Sequence, residues 1–424
     1  MTGKVRPGTS TTTVVPAEQP ERSAHRDGNV LRWLGAYAAS TVGDSIYYLA
    51  LSWAAARSGS PAQAGLVLAV GAVPRALLML GGGVVADRFG PRRVVIGSDA
   101  ARSVIILGMA GLLLVTGPAL GPLIAVALVF GVVDALFLPA VGALPPRITT
   151  EGQLGRVQGL RGLASRVASV TGAPAGGLAV ALGGSAAAFA AAGVLFALSL
   201  ALLLSVRIAP PTASGAESEG TAWRELGDGL RYIRGHAVLA PLMLVIAIGE
   251  LGFVGPLNIG LTLLAQQRGW GAAGMGWILA AFGAGAGAAS LLLAVRGRIP
   301  RAGLVQSFAL LGGAVSTAGL AFAPSVALAA VAGAFIGGLA GLSGAICGVL
   351  LQTVTEAAYL GRVTSVATLF TLGIAPLSYP VTGAAIGACG TGPVFVSSAA
   401  VCATGALIGL ASRVLRRVEL ARQA

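Results

Sequence analysis

The stretch GGGVVADRFGPRR, residues 81–93, decides how this chain is to be read. It sets three glycines, one carboxylate and three arginines at the end of a long apolar run. Outward from it, apolar runs of about 20 residues recur along nearly the whole chain, each long enough to cross a bilayer as a helix. Of the 424 residues 55% are apolar and 10% charged, whereas soluble domains carry about a quarter charged residues. The mean hydropathy is +0.85. The composition therefore gives an all-α membrane protein, with the charged box in a loop at a membrane surface.

Twelve transmembrane helices are predicted, near 34–56, 63–86, 94–116, 120–143, 158–181, 186–206, 240–265, 274–295, 303–321, 326–350, 364–386 and 393–412. The box then lies between spans 2 and 3. Of the 28 Lys and Arg, only Arg57 and Arg268 fall in the odd-numbered loops, and Arg75, Arg102, Arg161 and Arg166 lie within spans. The remainder occupy the tails and the even-numbered loops. That asymmetry places both termini in the cytoplasm of a cell (inner, cytoplasmic) membrane. The net charge of +13 is thus topology, with anionic membrane lipid as a secondary partner, and no nucleic acid is called for. Residues 1–30 are polar, lack the apolar core of a signal peptide and read as a disordered cytoplasmic tail. Residues 207–238 form a polar cytoplasmic linker between two six-helix halves, 31–206 and 239–413, and 414–424 are a second tail. Within the linker, Ala222–Arg234 has the pattern of an amphipathic helix lying on the membrane surface.

The halves resemble each other. ALPPRITTEGQLGRVQGL (143–160) aligns with VLLQTVTEAAYLGRVTSV (349–366) at an offset of 206, and at the same offset Gly43-Asp44 falls on Gly249-Glu250. Such pseudo-symmetric repeats build many secondary transporters, with the substrate site at the repeat interface.

Six plus six spans with G-x-x-x-D-R-x-G-x-R-R between spans 2 and 3, on Gly83, Asp87, Arg88, Gly90, Arg92 and Arg93, resemble the major facilitator superfamily and its motif A. IGSDAARSVI in span 3, DALFLPAVGALPPRI leaving span 4 and GWGAAGMGWILAAFGAGAG in span 8 are similar to the third drug–proton antiporter family, which includes macrolide-efflux and enterobactin-exporter-like proteins. TGAPAGG (171–177) is similar to an antiporter motif in span 5, through Pro174 and Gly177, with Ala173 where the motif has glycine. The resemblance implies the major facilitator fold, efflux by antiport and multidrug resistance. It departs at span 4, which lacks the arginine of many drug–proton antiporters and has Asp134 as its only charge.

The box itself has a physical reading. The carbonyls ending span 2 favour Arg88, Arg92 and Arg93 and disfavour Asp87. Arg362 begins span 11, where its charge opposes the helix dipole. Asp87 is expected to meet the start of span 11 near Arg362, as a conformational latch between the halves. The alternative is that these arginines only set topology.

Charges inside spans are costly and mark function by default. In the first half Asp44, Asp99 and Asp134 face Arg75, Arg102 and Arg166. Asp99 and Arg102, three residues apart, predict an intramembrane pair within span 3. Asp44 and Arg75 lie at similar depth and are a second candidate pair, leaving Asp134 with Arg166. The second half holds one charge in its spans, Glu250. An unpaired carboxyl away from water favours its neutral, protonated form, and exposure to water lets it ionise. Glu250, and its repeat mate Asp44, are the proton-coupling candidates. The alternatives for Glu250 are a structural, protonated acid and a counter-ion for a cationic substrate. Tyr47, Tyr48, Phe253 and Asn258 flank these acids, Gly255-Pro256 interrupts span 7, and Phe137 and Trp277 are candidates for further cavity wall, alongside Arg75 and Asp134. For each aromatic, ordinary helix packing is the competing reading.

Cys347, Cys389 and Cys402 share no metal-ligand spacing, and His25 and His236 lie outside the spans, so no metal or cofactor is expected. No Walker sequence and no nucleophile–base set is present, which argues against an ATPase or an enzyme. The expectation is a secondary active transporter exporting a small, moderately hydrophobic molecule (a drug, an antibiotic or a siderophore-like metabolite) by proton antiport with alternating access. The alternatives are a proton-coupled importer of a nutrient and a non-transporting membrane sensor or scaffold.

Overall fold

The computed structural model describes residues 27–207, 222–296, 301–356 and 358–418. Every element among them is helical. Ten helices are long and apolar enough to cross a membrane. One of them, within Glu151–Leu204, leaves helical geometry at Gly183 and Gly184, where Gly184 has φ +68°. Gly172 lies against Ser45 while Gly43 lies against Phe196. Both arms therefore flank the same turn of the first helix, Gly28–Ser58, so the chain doubles back and supplies spans 5 and 6. With Gly28–Ser58 as span 1, beside the ten by packing, the crossing segments number twelve.

The remaining spans are Pro61–Phe89, Pro91–Thr116 and Leu120–Gly142 in the first half. In the second they are span 7 (Leu239–Gly255 continued by Leu261–Gln267), Gly271–Arg296, Ala302–Ala321, Val326–Val354, span 11 (Leu360–Gly373 and Ala375–Cys389) and Thr391–Ala411. Local chemistry sets the ends. Asp27 caps span 1 by accepting from the Asn29 backbone N–H at 2.8 Å. Ser60 and Gln63 form a reciprocal capping box ahead of span 2, with Pro61 in its first turn, which satisfies two orphan donors. Gly90 has φ +83°, a left-handed turn that glycine makes without strain, and it lets span 2 pass directly into span 3.

Span 1 begins at Gly28, so residues 28–30 are helical, and residues 1–26 lie outside the described set. The linker's residues 208–221 and the last residues, 419–424, also lie outside it, and 413–417 form a short helix. The amphipathic helix Ala222–Gly235 is present but differs from expectation in where its apolar face goes. Ile233 is buried with Val363 and Val366, and the Tyr232 ring stacks on Tyr359 at 4.3 Å. It is seated on the start of span 11, because tertiary apolar surface was available to it.

Asn29 joins the start of span 1 to Arg207 by two hydrogen bonds, 2.6 and 2.8 Å. One face thus carries both ends and the linker, and it is called the termini face. The two halves meet most closely away from it. Gly65 lies on Tyr379 and Pro380, Gly383 on Pro61, Gly177 on Ala272, and Gly276 on Ala173 and Pro174. At each, a Cβ would collide with backbone of the other half, which is the close approach small residues allow between membrane helices.

Candidate functional site

Two polar regions lie at mid-depth, one in each half. In the first, Gly71 and Gly131 let spans 2 and 4 touch backbone to backbone. One turn further along, this brings Arg75 and Asp134 to 3.5 Å. Arg102 of span 3 is fully buried. It is ion-paired to Asp134, to Asp99 at 3.6 Å and to Asp44 at 3.7 Å. The faces of Phe137, Phe130 and Phe196 enclose its guanidinium at 3.9, 5.2 and 5.5 Å, contacts that hold a desolvated cation. Ser199 and Ser40 donate to the two oxygens of Asp99, and Arg75 donates to the Tyr48 hydroxyl at 2.8 Å.

The Asp99–Arg102 pair is therefore present, inside a larger network. The other two expected pairs are not. Asp44 faces Arg102 instead of Arg75, and Asp134 takes both Arg102 and Arg75. Arg166 turns to the other half and donates to Ser290 at 2.9 Å. Equal depth does not bring side chains together unless their helix faces also meet, and span 3 faces both span 1 and span 4. Three carboxylates thus share two guanidiniums. Asp44 is the least bonded of the three, with 22% of its side chain exposed and one oxygen lacking a hydrogen-bond partner.

The second region is a cavity of about 590 Å³ in the second half. Its wall runs from Leu261 and Leu320, toward the face opposite the termini, to Leu351 and Ala367, toward the termini face. Glu250 is the one charged residue in that wall. Its carboxyl has neither an ion pair nor a hydrogen bond among the described residues. Phe253 and Asn258 share the wall. Asn258 belongs to the π-helical turn Pro256–Gly260, the interruption expected from Gly255-Pro256, and its amide donates to the Val254 carbonyl at 2.8 Å. Gly255 makes room there for Ser378 and Thr382 of span 11. A smaller space of about 230 Å³ adjoins at Leu257, Asn258, Leu279 and Phe282 and extends between the halves to Tyr48 and Arg166.

Several expected wall residues are elsewhere. Tyr47 is buried in the first half, stacked on Phe130 at 3.8 Å. Phe137 covers Arg102, and Trp277 is 61% exposed on the outside of the bundle. Asp44, Asp134 and Arg75 belong to the network and do not line the large cavity. For the aromatics, periodicity placed them one helix face away from the cavity. Sequence reading missed Gln306, Ser343, Cys347 and Thr371, which supply the cavity's other polar atoms. The buried amide of Gln306, which donates to the Cys347 sulfur at 2.8 Å, is the one that an inventory of polar residues inside spans could have found.

At the charged box, Gly83 is helical in span 2, and the side chain of Asp87 lies outside what is described. Arg88 and Arg93 are exposed. Arg92 donates to the Leu204 carbonyl at 3.2 Å, at the end of span 6 where carbonyls lack helical donors. Span 2 packs along Leu360–Gly373. Arg362 lies over the Tyr359 ring at 5.4 Å, and its backbone is pressed against Gly229 of the linker helix. Pro174 and Gly177 sit in the seam with span 8, opposite Gly276 and Ala272. Among the described residues no cluster of His, Cys, Asp and Glu could hold a metal ion.

Comparison with known proteins gives the context. Residues 33–371 match the Major Facilitator Superfamily. The enterobactin exporter EntS of Shigella boydii serotype 18 is 28% identical over 348 residues, 80% of each chain, and that of Escherichia coli O1:K1 / APEC matches equally. Among solved structures, the nucleoside transporter NupG superposes with a TM-score of 0.71 at 13% identity, covering 91% of this chain and 99% of that one. The inward-open xylose transporter XylE from E. coli gives 0.68 at 14%, covering 93% and 96%. At such identities the structures speak for the fold alone.

Proposed function

Since the chain belongs to the Major Facilitator Superfamily, and is a multi-pass membrane transporter and not an enzyme, we propose that it exports a small, moderately hydrophobic molecule in exchange for protons. The observation that carries this is Glu250, a carboxyl with no partner among the described residues, in the wall of a cavity of about 590 Å³. That volume lies in the range of pockets for drug-sized ligands. A carboxyl inside a membrane protein that alternates between dry and wet surroundings takes up and gives back a proton. Glu250 is the coupling residue in this reading, and Asp44, the partly exposed member of the network, is the second candidate.

Outward direction is drawn from the exporter relatives, which match over 80% of both chains. The surplus of Arg and Lys on the termini face supports placing that face in the cytoplasm of the inner membrane. The seam of glycines closes the opposite face while the cavity wall reaches toward the termini face, as suits a state that loads cargo from the cytoplasm. Rocking of the halves about spans 2, 5, 8 and 11 would then open the other side. In that cycle Asp87 and Arg362 form the latch, at the point where span 2 passes the start of span 11.

The test is growth inhibition of an efflux-deficient bacterial host by a panel of antibiotics, dyes and siderophore-like compounds. Wild type is compared with Glu250→Gln at matched expression. Protection by the wild type that is lost in the variant is expected. Equal protection by both removes Glu250 from coupling, and accumulation of a compound in place of protection reverses the direction.

A further inference from the structure

We propose that the smaller space between the halves is a head-group site built around Arg166 for a carboxylate, so that the cargo is an acidic amphiphile. The proposal rests on the transport reading above and specifies its substrate class. Arg166 is the one charged residue in the wall of that space of about 230 Å³. It has no ion pair among the described residues. Its hydrogen bond there goes to the Ser290 hydroxyl at 2.9 Å, whose own proton is given to the Ala286 carbonyl at 3.0 Å. A guanidinium has five N–H donors, so most of them are left for a ligand. The acids of the first half are taken, since Asp44, Asp99 and Asp134 all pair with Arg102. A cation set inside a span without a counter-ion marks a path for charge.

The other polar groups of this wall fit an acceptor-only ligand. Ser45, Ser52 and Ser169 donate to carbonyls of their own helices, those of Thr41, Leu49 and Ser165, at 3.1, 3.1 and 2.9 Å. Their protons are thus spent. The donors left to meet a ligand are Arg166 and the Asn258 amide, which has one N–H beyond its bond to Val254. A carboxylate only accepts, and it matches the guanidinium fork with two parallel bonds. An ammonium would face Arg166 as a like charge, with no acid in that wall. Leu257, Asn258, Leu279 and Phe282 line this space and the large cavity alike. A molecule with its head on Arg166 therefore lays its apolar body into the larger volume. Arg166 and Ser290 belong to spans 5 and 8, one from each half, so rocking of the halves alters the head-group site and favours release on the other side. Head group and proton occupy different side chains, Arg166 and Glu250, and are linked through that shared change of conformation. An inside-negative membrane potential also drives an anion outward.

The experiment is titration calorimetry on the purified full chain in detergent at about pH 7, where a carboxylic acid is ionised. The probes are pyrenebutanoate and its uncharged primary amide, which share one apolar body and differ in the head. Wild type should bind the carboxylate at least about tenfold more tightly than the amide, equivalent to about 1.4 kcal/mol. Arg166→Gln should lose that preference through weaker binding of the carboxylate alone. Unchanged binding of the amide also shows that the variant is folded. Arg166→Lys, which keeps the charge without the fork, should bind the carboxylate with an affinity between those of the other two chains. Equal binding of the two probes by wild type, no carboxylate binding, or the same carboxylate affinity in wild type and Arg166→Gln overturns the proposal. Loss of both probes in Arg166→Gln overturns it as well, because Arg166 then supports the fold and not the head group. Export of a compound that depends on Glu250 and is indifferent to Arg166→Gln leaves the transport reading standing and refutes this one. Carboxylate binding held by Arg166, in a chain that makes cells accumulate the compound, upholds the head-group site and reverses the direction of transport.

Discussion

Replacing Gly177 by alanine should open the face that is closed here. A Cβ at that position falls on the carbonyl oxygen of Ala272 in span 8, and neither backbone can yield without moving a half. Adding one carbon to a tight contact costs about 1–3 kcal/mol. The penalty applies to the conformation in which spans 5 and 8 touch there, and it is absent once they part. A differential of that size shifts the ratio of the two conformations by about 5- to 150-fold. Gly287→Ala in span 8 is the control, because a Cβ there meets nothing within 4 Å. Both changes gain the same intrinsic helix preference, about 1 kcal/mol, so only the seam contact separates them. The readout is Asn258→Cys, at an exposed position in the cavity wall, in a background with Cys347, Cys389 and Cys402 changed to alanine. A membrane-impermeant maleimide is applied to inside-out and right-side-out vesicles. Gly177→Ala should slow labelling from the termini face and speed it from the opposite face, and Gly287→Ala should do neither. Identical labelling of the two variants would refute the view that this seam closes the opposite face.

Other expectations follow from the same geometry. Asp134→Asn leaves two guanidiniums without their shared carboxylate, and breaking a buried pair costs about 3–5 kcal/mol; the variant should show a lower thermal midpoint in detergent, partly restored by adding Arg75→Gln. Gly229→Leu forces the linker helix off the backbone of Arg362, so limited proteolysis should cut within 222–235 faster than in wild type while the spans stay protected. Green fluorescent protein fused after Ala424 should fluoresce in cells if the termini face is cytoplasmic, and alkaline phosphatase fused there should be inactive.

The crossing helices were legible because the period and length of apolar runs carry them directly. The break in span 7 was legible because Pro256 removes a backbone donor. Beyond the Asp99–Arg102 pair within span 3, what could not be read was which charges meet. Depth along a helix follows from counting residues at about 1.5 Å each, but the direction a side chain faces matters equally, and it depends on which helices pack. Asp44 and Arg75 share a depth, and Arg102 took the acid because span 3 turns its face to span 1. The neutral polar wall of the cavity was hidden for another reason. Ser and Thr inside spans commonly bond to their own helix, as Ser307 does to Gly303 at 2.8 Å and Thr317 to Gly313 at 2.9 Å. Composition alone does not separate these from Ser343 or Thr371. Glu250 was legible because its isolation is a matter of charge count.

The repeat explains why one half has a cavity and the other does not. At the offset of 206 that aligns Asp44 with Glu250, the charged partners Arg75, Asp99, Arg102 and Asp134 correspond to Ala281, Val305, Phe308 and Ala340. Phe308 is 59% exposed and turned to the outside of the bundle, so no charge of span 9 reaches inward as Arg102 does in the first half. Ala340 lines the cavity where Asp134 would have reached in. The space beside Tyr48 and Arg75 is only about 30 Å³, against about 590 Å³ in the second half. The second half, which lacks counterparts to the network, thus combines an apolar void with an acid that has no neutralising partner among the described residues. A half pinned by ionic contacts is stiff, since moving one member unpairs the others, and it can serve as the fixed body against which the cavity-bearing half rocks. The aligned differences thus go with a first half pinned by ionic contacts and a second half that holds the cavity and its acid.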